Sequence, residues 1–158
     1  TYNIMKILLE RRPKMIPEEI RDLYDGIFES LTSSEFHYFR NMGTIKSANN
    51  EYLIRSGEHQ KNLLLVLSGS ADVEVNGKPI ANLTRGTFIA EISFLSGEPA
   101  SADVHANEEL FFVSWNSERL KNLKDENPSF WMKLQHALSE DLIKKVKPQA
   151  KKDSQIED

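Results

Sequence analysis

The residues that are best suited to binding a ligand lie together in the stretch 86–104. This stretch interrupts a pattern of short β-strands. Phe88, Ile92 and Leu95 recur at helical spacing and predict one short helix there. The first turn of such a helix presents backbone N–H groups and the positive end of the helix dipole, which suits an anion. Glu91 lies beside that end and can accept a hydrogen bond from a sugar hydroxyl group.

The elements that must position this stretch are short strands, which fill residues 43–115. Ala71, Val73 and Val75 alternate with polar residues and end at Asn76-Gly77, the pair typical of a two-residue hairpin. Closely spaced strands with turns between them predict an antiparallel barrel or sandwich. The predicted fold class is therefore mainly β with flanking helices (α+β).

Helical patterns flank the strands on both sides. Residues 1–42 read as an N-terminal helical segment, in which Thr32 and Glu35 have the spacing of a capping box. Residues 116–146 read as C-terminal helices. Residues 147–158 are polar, rich in Lys and short of side chains to bury, which predicts a flexible tail.

The stretch 86–104 resembles the phosphate-binding cassette of cyclic-nucleotide-binding domains, which runs Phe-Gly-Glu-Leu-Ala-Leu-Leu and then Pro-Arg-Ala-Ala-Thr-Val. Residues 54–58 and 65–73 resemble the two glycine-marked strand turns of the same family. The resemblance covers about residues 31–142. It implies an antiparallel double-stranded β-helix, the jelly-roll β-roll of Crp/Fnr-like proteins, with N-terminal helices and a C-terminal helix.

The resemblance also implies which residues contact a ligand. Glu91 stands where the family's glutamate binds the ribose 2′-hydroxyl group, and Ile92 and Ser93 stand where backbone amides meet the phosphate. The other candidate ligand-binding residues lie on either side of these three: Phe88, Ala90, Ala100, Ser101 and Ala102.

The cassette departs from the family pattern at three positions. Ala90 replaces a glycine that allows close backbone approach, Ala100 replaces the arginine that pairs with the cyclic phosphate, and Asp103 replaces a hydroxyl residue. A hydrogen bond between arginine and phosphate contributes roughly 1.5–3 kcal/mol, so its loss weakens binding by about one to two powers of ten. We also expect a carboxylate at position 103 to repel an anion.

These observations predict a regulatory domain that senses cAMP, cGMP or a related small ligand weakly or with altered specificity, and they indicate no cofactor beyond these two nucleotides. The alternative is a ligand-silent module for protein interaction or oligomerisation, whose cassette pocket would be filled by Phe88 or Phe94. A fainter resemblance to Popeye-domain proteins rests on residues 23–28 and 112–115. It implies the soluble part of a membrane-anchored protein, with the anchor upstream of Thr1.

The C-terminal helix carries an apolar stripe at helical spacing. In the family the corresponding helix forms a lid over the base. Core packing and contact with a second copy in a homodimer explain the same pattern, and the sequence leaves all three open. The stripe consists of Trp131, Leu134, Leu138 and Leu142.

Composition argues against other classes of function. A net charge of −4 argues against a nucleic-acid partner, and the absence of cysteine fits a reducing, cytoplasmic compartment. The longest apolar run, residues 63–67, is too short to span a membrane. The four histidines lie far apart and no catalytic motif is present, so we expect neither a metal site nor an enzyme.

Overall fold

The computed structural model describes residues 18–157, with side chains described for residues 21–143. The chain divides into two compact units, Thr1–Met42 and Gly43–Asp158. The first 17 residues of the predicted N-terminal helical segment lie outside the described part of the chain.

The first unit contains helices α1 (Glu18–Ile27) and α2 (Ser33–Met42). The predicted capping box begins α2: the Thr32 N–H donates to Glu35 Oε1 at 2.9 Å, and the Glu35 N–H donates to Thr32 Oγ1 at 3.1 Å. Two donors at the helix start are thereby satisfied reciprocally. Aromatic rings pack between the two helices, namely those of Tyr24, Phe28, Phe36 and Phe39.

The second unit is built on eight antiparallel strands in two sheets, which confirms the predicted fold class. One sheet has the order β1-β8-β3-β6 and the other β2-β7-β4-β5. The strands are β1 (Thr44–Ala48), β2 (Glu51–Ile54), β3 (Asn62–Ser68), β4 (Ala71–Val75), β5 (Lys78–Leu83), β6 (Phe88–Ile89), β7 (Asp103–Ala106) and β8 (Leu110–Asn116).

Two of the turns show why the sequence needs glycine at its strand ends. Asn76 and Gly77 both have positive φ, +53° and +80°, as a tight β4–β5 hairpin requires. Gly69 has φ +81°, and a Cβ atom at this position would lie 2.7 Å from the carbonyl oxygen of Glu109. Position 69 is therefore restricted by its backbone conformation and by its neighbour.

Apolar side chains from both sheets form one core. Strands β3, β6 and β8 of the first sheet contribute Leu64, Ile89 and Phe112, among others, and strands of the second sheet contribute small residues and Val104. The buried members are Ala48, Ile54, Leu64, Val66, Ala71, Ile89, Val104, Ala106, Leu110 and Phe112.

Four helices complete the second unit: α3 (Glu91–Ser96), α4 (Ser117–Lys121), α5 (Leu123–Glu126) and α6 (Pro128–Glu157). The predicted cassette helix is present as α3, but Phe88 is not part of it. Phe88 lies in β6, where it pairs with Leu65 of β3, and its side chain is buried. It is therefore a residue of the sheet and not of the helix.

The C-terminal helix, α6, carries the apolar stripe that the sequence indicated. Its backbone is helical through Glu157, and the flexibility predicted for residues 147–158 stays a prediction. Lys, Gln and Ala favour helix even where no apolar surface is buried, which agrees with a helical backbone in this polar segment. Trp131, Leu134 and Leu138 are buried within the chain, so core packing explains most of the stripe. Among the described residues, none of the helices combines the length and the hydropathy that a membrane span requires.

Candidate ligand-binding site

A cavity of about 500 Å³ opens beside α3, and we refer to it as the cassette cavity. This volume lies within the range of roughly 300–1,000 Å³ that small-molecule pockets occupy. The structure brings every predicted site residue to its lining. These residues are Phe88, Ala90, Glu91, Ile92, Ser93, Ala100, Ser101 and Ala102.

The remaining walls come from parts of the chain that the sequence did not assign to the site. Asp141 and Leu142 of α6 close one side of the cavity. Strands β2, β4, β5 and β7 supply apolar side chains, which no local motif distinguishes from ordinary core residues. They are Ile54, Val73, Ile80, Leu83 and Val104.

Ala90 connects β6 to α3 in a left-handed backbone conformation, with φ 71° and ψ 19°. This conformation brings Cβ close to the following carbonyl group and costs an L-residue about 1–2 kcal/mol. The Ala90 carbonyl group accepts the N–H of Phe94 at 3.0 Å, so the residue also begins the hydrogen bonding of the helix. The left-handed conformation at this position is therefore adopted by a residue that carries a Cβ atom.

Glu91 is the first residue of α3 and is only 4% exposed. A carboxylate in the first helical turn interacts favourably with the positive end of the helix dipole. Because Glu91 also lines the cavity, it is placed to accept hydrogen bonds from a ligand. Ile92, which follows it, is 57% exposed and lies at the mouth.

The part of the cassette that follows α3, which we call the arm, is held in place by backbone hydrogen bonds. The Gly57 N–H donates to the Ala100 carbonyl oxygen at 2.7 Å, and the Ala100 N–H donates to the Glu58 carbonyl oxygen at 3.0 Å. These two bonds fix position 100 against the β2–β3 turn while its methyl group lines the cavity. The position that carries arginine in the family pattern therefore faces the cavity here.

Asp103 does not line the cavity, which corrects the expectation that it repels a bound anion. Its Oδ1 accepts the Ser56 N–H at 2.7 Å, and its Oδ2 lies 3.7 Å from the Arg55 guanidinium group. Side chains alternate along a strand, and the next residue, Val104, is buried in the core. Asp103 must consequently face outward, where it ties β7 to the β2–β3 turn.

The charges on the described cavity wall are negative. Glu91 and Asp141 line the cavity, and no described Lys or Arg side chain does. Opposite charges stabilise a buried phosphate and like charges disfavour it, so this wall is a poor match for an anion at the position of Ala100. Most of the remaining lining is apolar and suits a flat heterocycle.

The ligand-silent alternative predicted that Phe88 or Phe94 fills the cavity, and neither side chain does. Phe94 points to the other side of α3, where its ring packs edge-to-face on Trp131 with 5.8 Å between centroids. Phe88 forms part of the wall and pairs with β3 through its backbone. The cassette cavity is therefore open.

The two sheets, the glycine-marked turns and the helical cassette define a β-roll of the regulatory, ligand-binding class. Residues 44–127 match the family model of the cyclic nucleotide-binding domain. That match spans more than half of the chain, so this protein belongs to the cyclic nucleotide-binding domain family.

Individual relatives agree with this assignment. The chain is 27% identical over 125 residues to a cGMP-dependent protein kinase of Eimeria tenella, covering 78% of this chain and 12% of the kinase. It is 29% identical over 84 residues to a cAMP-dependent protein kinase regulatory subunit of Emericella nidulans, covering 52% of this chain and 20% of the subunit. The chain thus spans a fifth or less of the length of these relatives.

Solved structures show the same fold. A cyclic nucleotide-binding domain from Methylobacillus flagellatus superimposes with a TM-score of 0.77 at 24% identity, over 85% of this chain and 80% of that one. The resemblance to Popeye-domain proteins and the predicted cytoplasmic location stay predictions.

Proposed function

We propose that this protein is a regulatory domain that binds a cyclic nucleotide, or a closely related ligand, in the cassette cavity with low affinity or altered specificity. One observation carries the proposal: the cavity is open and lined by all the predicted residues, yet position 100 offers it a methyl group instead of a guanidinium group. The family supports cAMP and cGMP as ligands.

In the proposed complex, Glu91 accepts a hydrogen bond from the ribose 2′-hydroxyl group. The phosphate lies against the backbone N–H groups of Ile92 and Ser93, and Val73, Leu83 and other apolar side chains cover the base. Without the arginine, each lost charge-assisted bond weakens binding by about one to two powers of ten. We therefore expect dissociation constants far above those of a cassette that carries the arginine.

Restoring the cation tests this arrangement. Isothermal titration of the protein with cAMP and cGMP is compared with titration of Ala100→Arg, and we expect the substitution to raise affinity by about 10- to 100-fold. Ala100→Met is the matched control, because it adds bulk at the same position without charge. If neither the unsubstituted protein nor Ala100→Arg binds either nucleotide at millimolar concentration, the proposed function is wrong.

The role proposed for Glu91 has its own test. Glu91→Gln keeps the shape of the side chain but weakens it as an acceptor. We expect it to reduce the affinity of the Ala100→Arg protein for cAMP and to leave the affinity for 2′-deoxy-cAMP unchanged. An equal reduction for both ligands would show that Glu91 does not contact the 2′-hydroxyl group.

Helix α6 provides the route by which a bound ligand acts on a partner. Asp141 and Leu142 line the cavity, and the helix then continues for four more turns to Glu157. A ligand that contacts these two residues favours one position of the helix over others, and a partner bound to α6 senses that change. The ligand-silent alternative predicts a filled cavity, so the open cavity favours ligand sensing.

A further inference from the structure

A second cavity, of about 400 Å³, lies on the other side of α3, and we refer to it as the lysine cavity. It is separate from the cassette cavity, because the two share no lining residue. The first half of α3 faces the cassette cavity and the second half faces the lysine cavity. The lining consists of Phe94, Leu95, Ser96, Gly97, Lys121, Lys124, Trp131 and Gln135.

One wall of the lysine cavity is aromatic. The rings of Phe94 and Trp131 meet edge-to-face, with 5.8 Å between centroids and 65° between planes, and both residues are buried. Gly97 ends α3 beside them, and an added Cβ at this position would meet no atom within 4 Å. An aromatic surface with open space next to it suits an aromatic or aliphatic group.

The charged part of the lining is basic. Lys121 and Lys124 contribute the charged side chains, and no Asp or Glu of the described chain lines the cavity. The Lys121 ammonium group lies 5.7 Å from the centre of the Phe94 ring, directly above the aromatic wall. A pair of positive charges next to an apolar wall is notable in a chain of net charge −4. The arrangement complements a ligand that is negative at one end and apolar at the other.

We propose that the lysine cavity binds a small organic anion, an aromatic or aliphatic group that bears a phosphate or a carboxylate. Its apolar part packs on Phe94 and Trp131, and its anionic end contacts Lys121 and Lys124. A volume of about 400 Å³ accommodates a small molecule. The site does not depend on the proposed function of the cassette cavity, because no residue is common to both.

Trp131 provides a direct readout of this site. Phenyl phosphate is titrated into the full chain without nucleotide while tryptophan fluorescence and the heat of binding are recorded. Phenylacetate tests the carboxylate, benzyl alcohol tests the apolar group alone, and inorganic phosphate tests the anion alone. We expect saturable binding of the two organic anions, at least tenfold weaker binding of the other two probes, and no fluorescence response in Trp131→Phe.

Substitution of the lysines tests the geometry. Both lysines are exposed, so Lys121→Gln/Lys124→Gln is expected to fold normally. We expect this double variant to bind phenyl phosphate at least tenfold more weakly, and Lys46→Gln, an exposed lysine of β1, to bind as before. The proposal is overturned if no probe shows saturable binding, if the double variant binds as tightly as the original chain, or if benzyl alcohol binds as well as phenyl phosphate.

Discussion

Replacing Ala90 with glycine isolates the contribution of one backbone conformation to the stability of the cassette. Ala90 has φ 71° and ψ 19°, where an L-residue is strained by about 1–2 kcal/mol and glycine is not. Glycine also increases the entropy of the unfolded chain, which costs about 0.4–1 kcal/mol. A fully buried methyl group contributes roughly 0.8 kcal/mol to the free energy of unfolding. The methyl group of Ala90 is half-buried, so its loss costs at most about 0.5 kcal/mol.

The sum of these terms for Ala90→Gly lies between a loss of about 0.5 kcal/mol and a gain of about 1.5 kcal/mol in the free energy of unfolding. Ala102→Gly is the matched control. Ala102 is also half-buried and also lines the cavity, but its φ is not positive. Without strain to relieve, it loses about 1 kcal/mol. We therefore expect Ala90→Gly to be the more stable variant by roughly 1–2 kcal/mol.

Urea unfolding of the two variants and the original chain measures this difference. The m-value is expected to stay constant, because the surface exposed on unfolding hardly changes, and the midpoint then reports stability. In thermal unfolding, 1 kcal/mol corresponds to a shift of roughly 2–4 °C for a chain of this size. If Ala90→Gly loses as much stability as Ala102→Gly, the strain assigned to Ala90 is absent.

Three further perturbations test other parts of the second unit. Asp103→Ala removes the contacts to the β2–β3 turn, and we expect it to lower the free energy of unfolding by about 1–2 kcal/mol. We expect a smaller decrease for Asp103→Asn, and urea unfolding measures both. Gly69→Ala is expected to destabilise by more than about 2 kcal/mol, whereas Gly77→Ala, with similar φ but open space, loses only about 1 kcal/mol; equal losses would contradict the close contact at Gly69. The hydrogen bond to Glu74 raises the pKa of Tyr52 above its ordinary 10.0, so the stability it contributes is present below pH 10 and lost as pH rises through the folded pKa. Spectrophotometric titration of the original chain, from which the titration of Tyr52→Phe is subtracted, is expected to show the raised pKa of Tyr52. Glu74→Gln is expected to lower that pKa again.

Local motifs made much of the fold predictable. The Asn76-Gly77 hairpin and the Thr32–Glu35 capping box each depend on residues that are close in sequence, and both occur as expected. Strand β1 was harder to recognise, because four of its five residues are exposed and only Ala48 is buried. Such a strand is held by its pairing with β8, which sequence periodicity does not report.

The site was predictable to the extent that it is continuous in sequence. The cassette residues were found from one stretch, whereas Asp141 and Leu142 reach the cavity from a helix some 40 residues away. The outward direction of Asp103 could have been read from the alternation of β7, since Val104 had to face the core. The resemblance to the family motif placed Asp103 next to a bound anion, whereas the alternation of side chains along β7 places it on the outer face.

The two hydrogen bonds that hold Ala100 to the β2–β3 turn use backbone atoms alone. Any residue other than proline can form them, so the support of this arm is indifferent to the side chain that it displays. The position of residue 100 is therefore fixed by backbone atoms, whereas the side chain that it presents to the cavity can be exchanged. A substitution at position 100 is therefore expected to change the chemistry of the cavity wall without disturbing these hydrogen bonds.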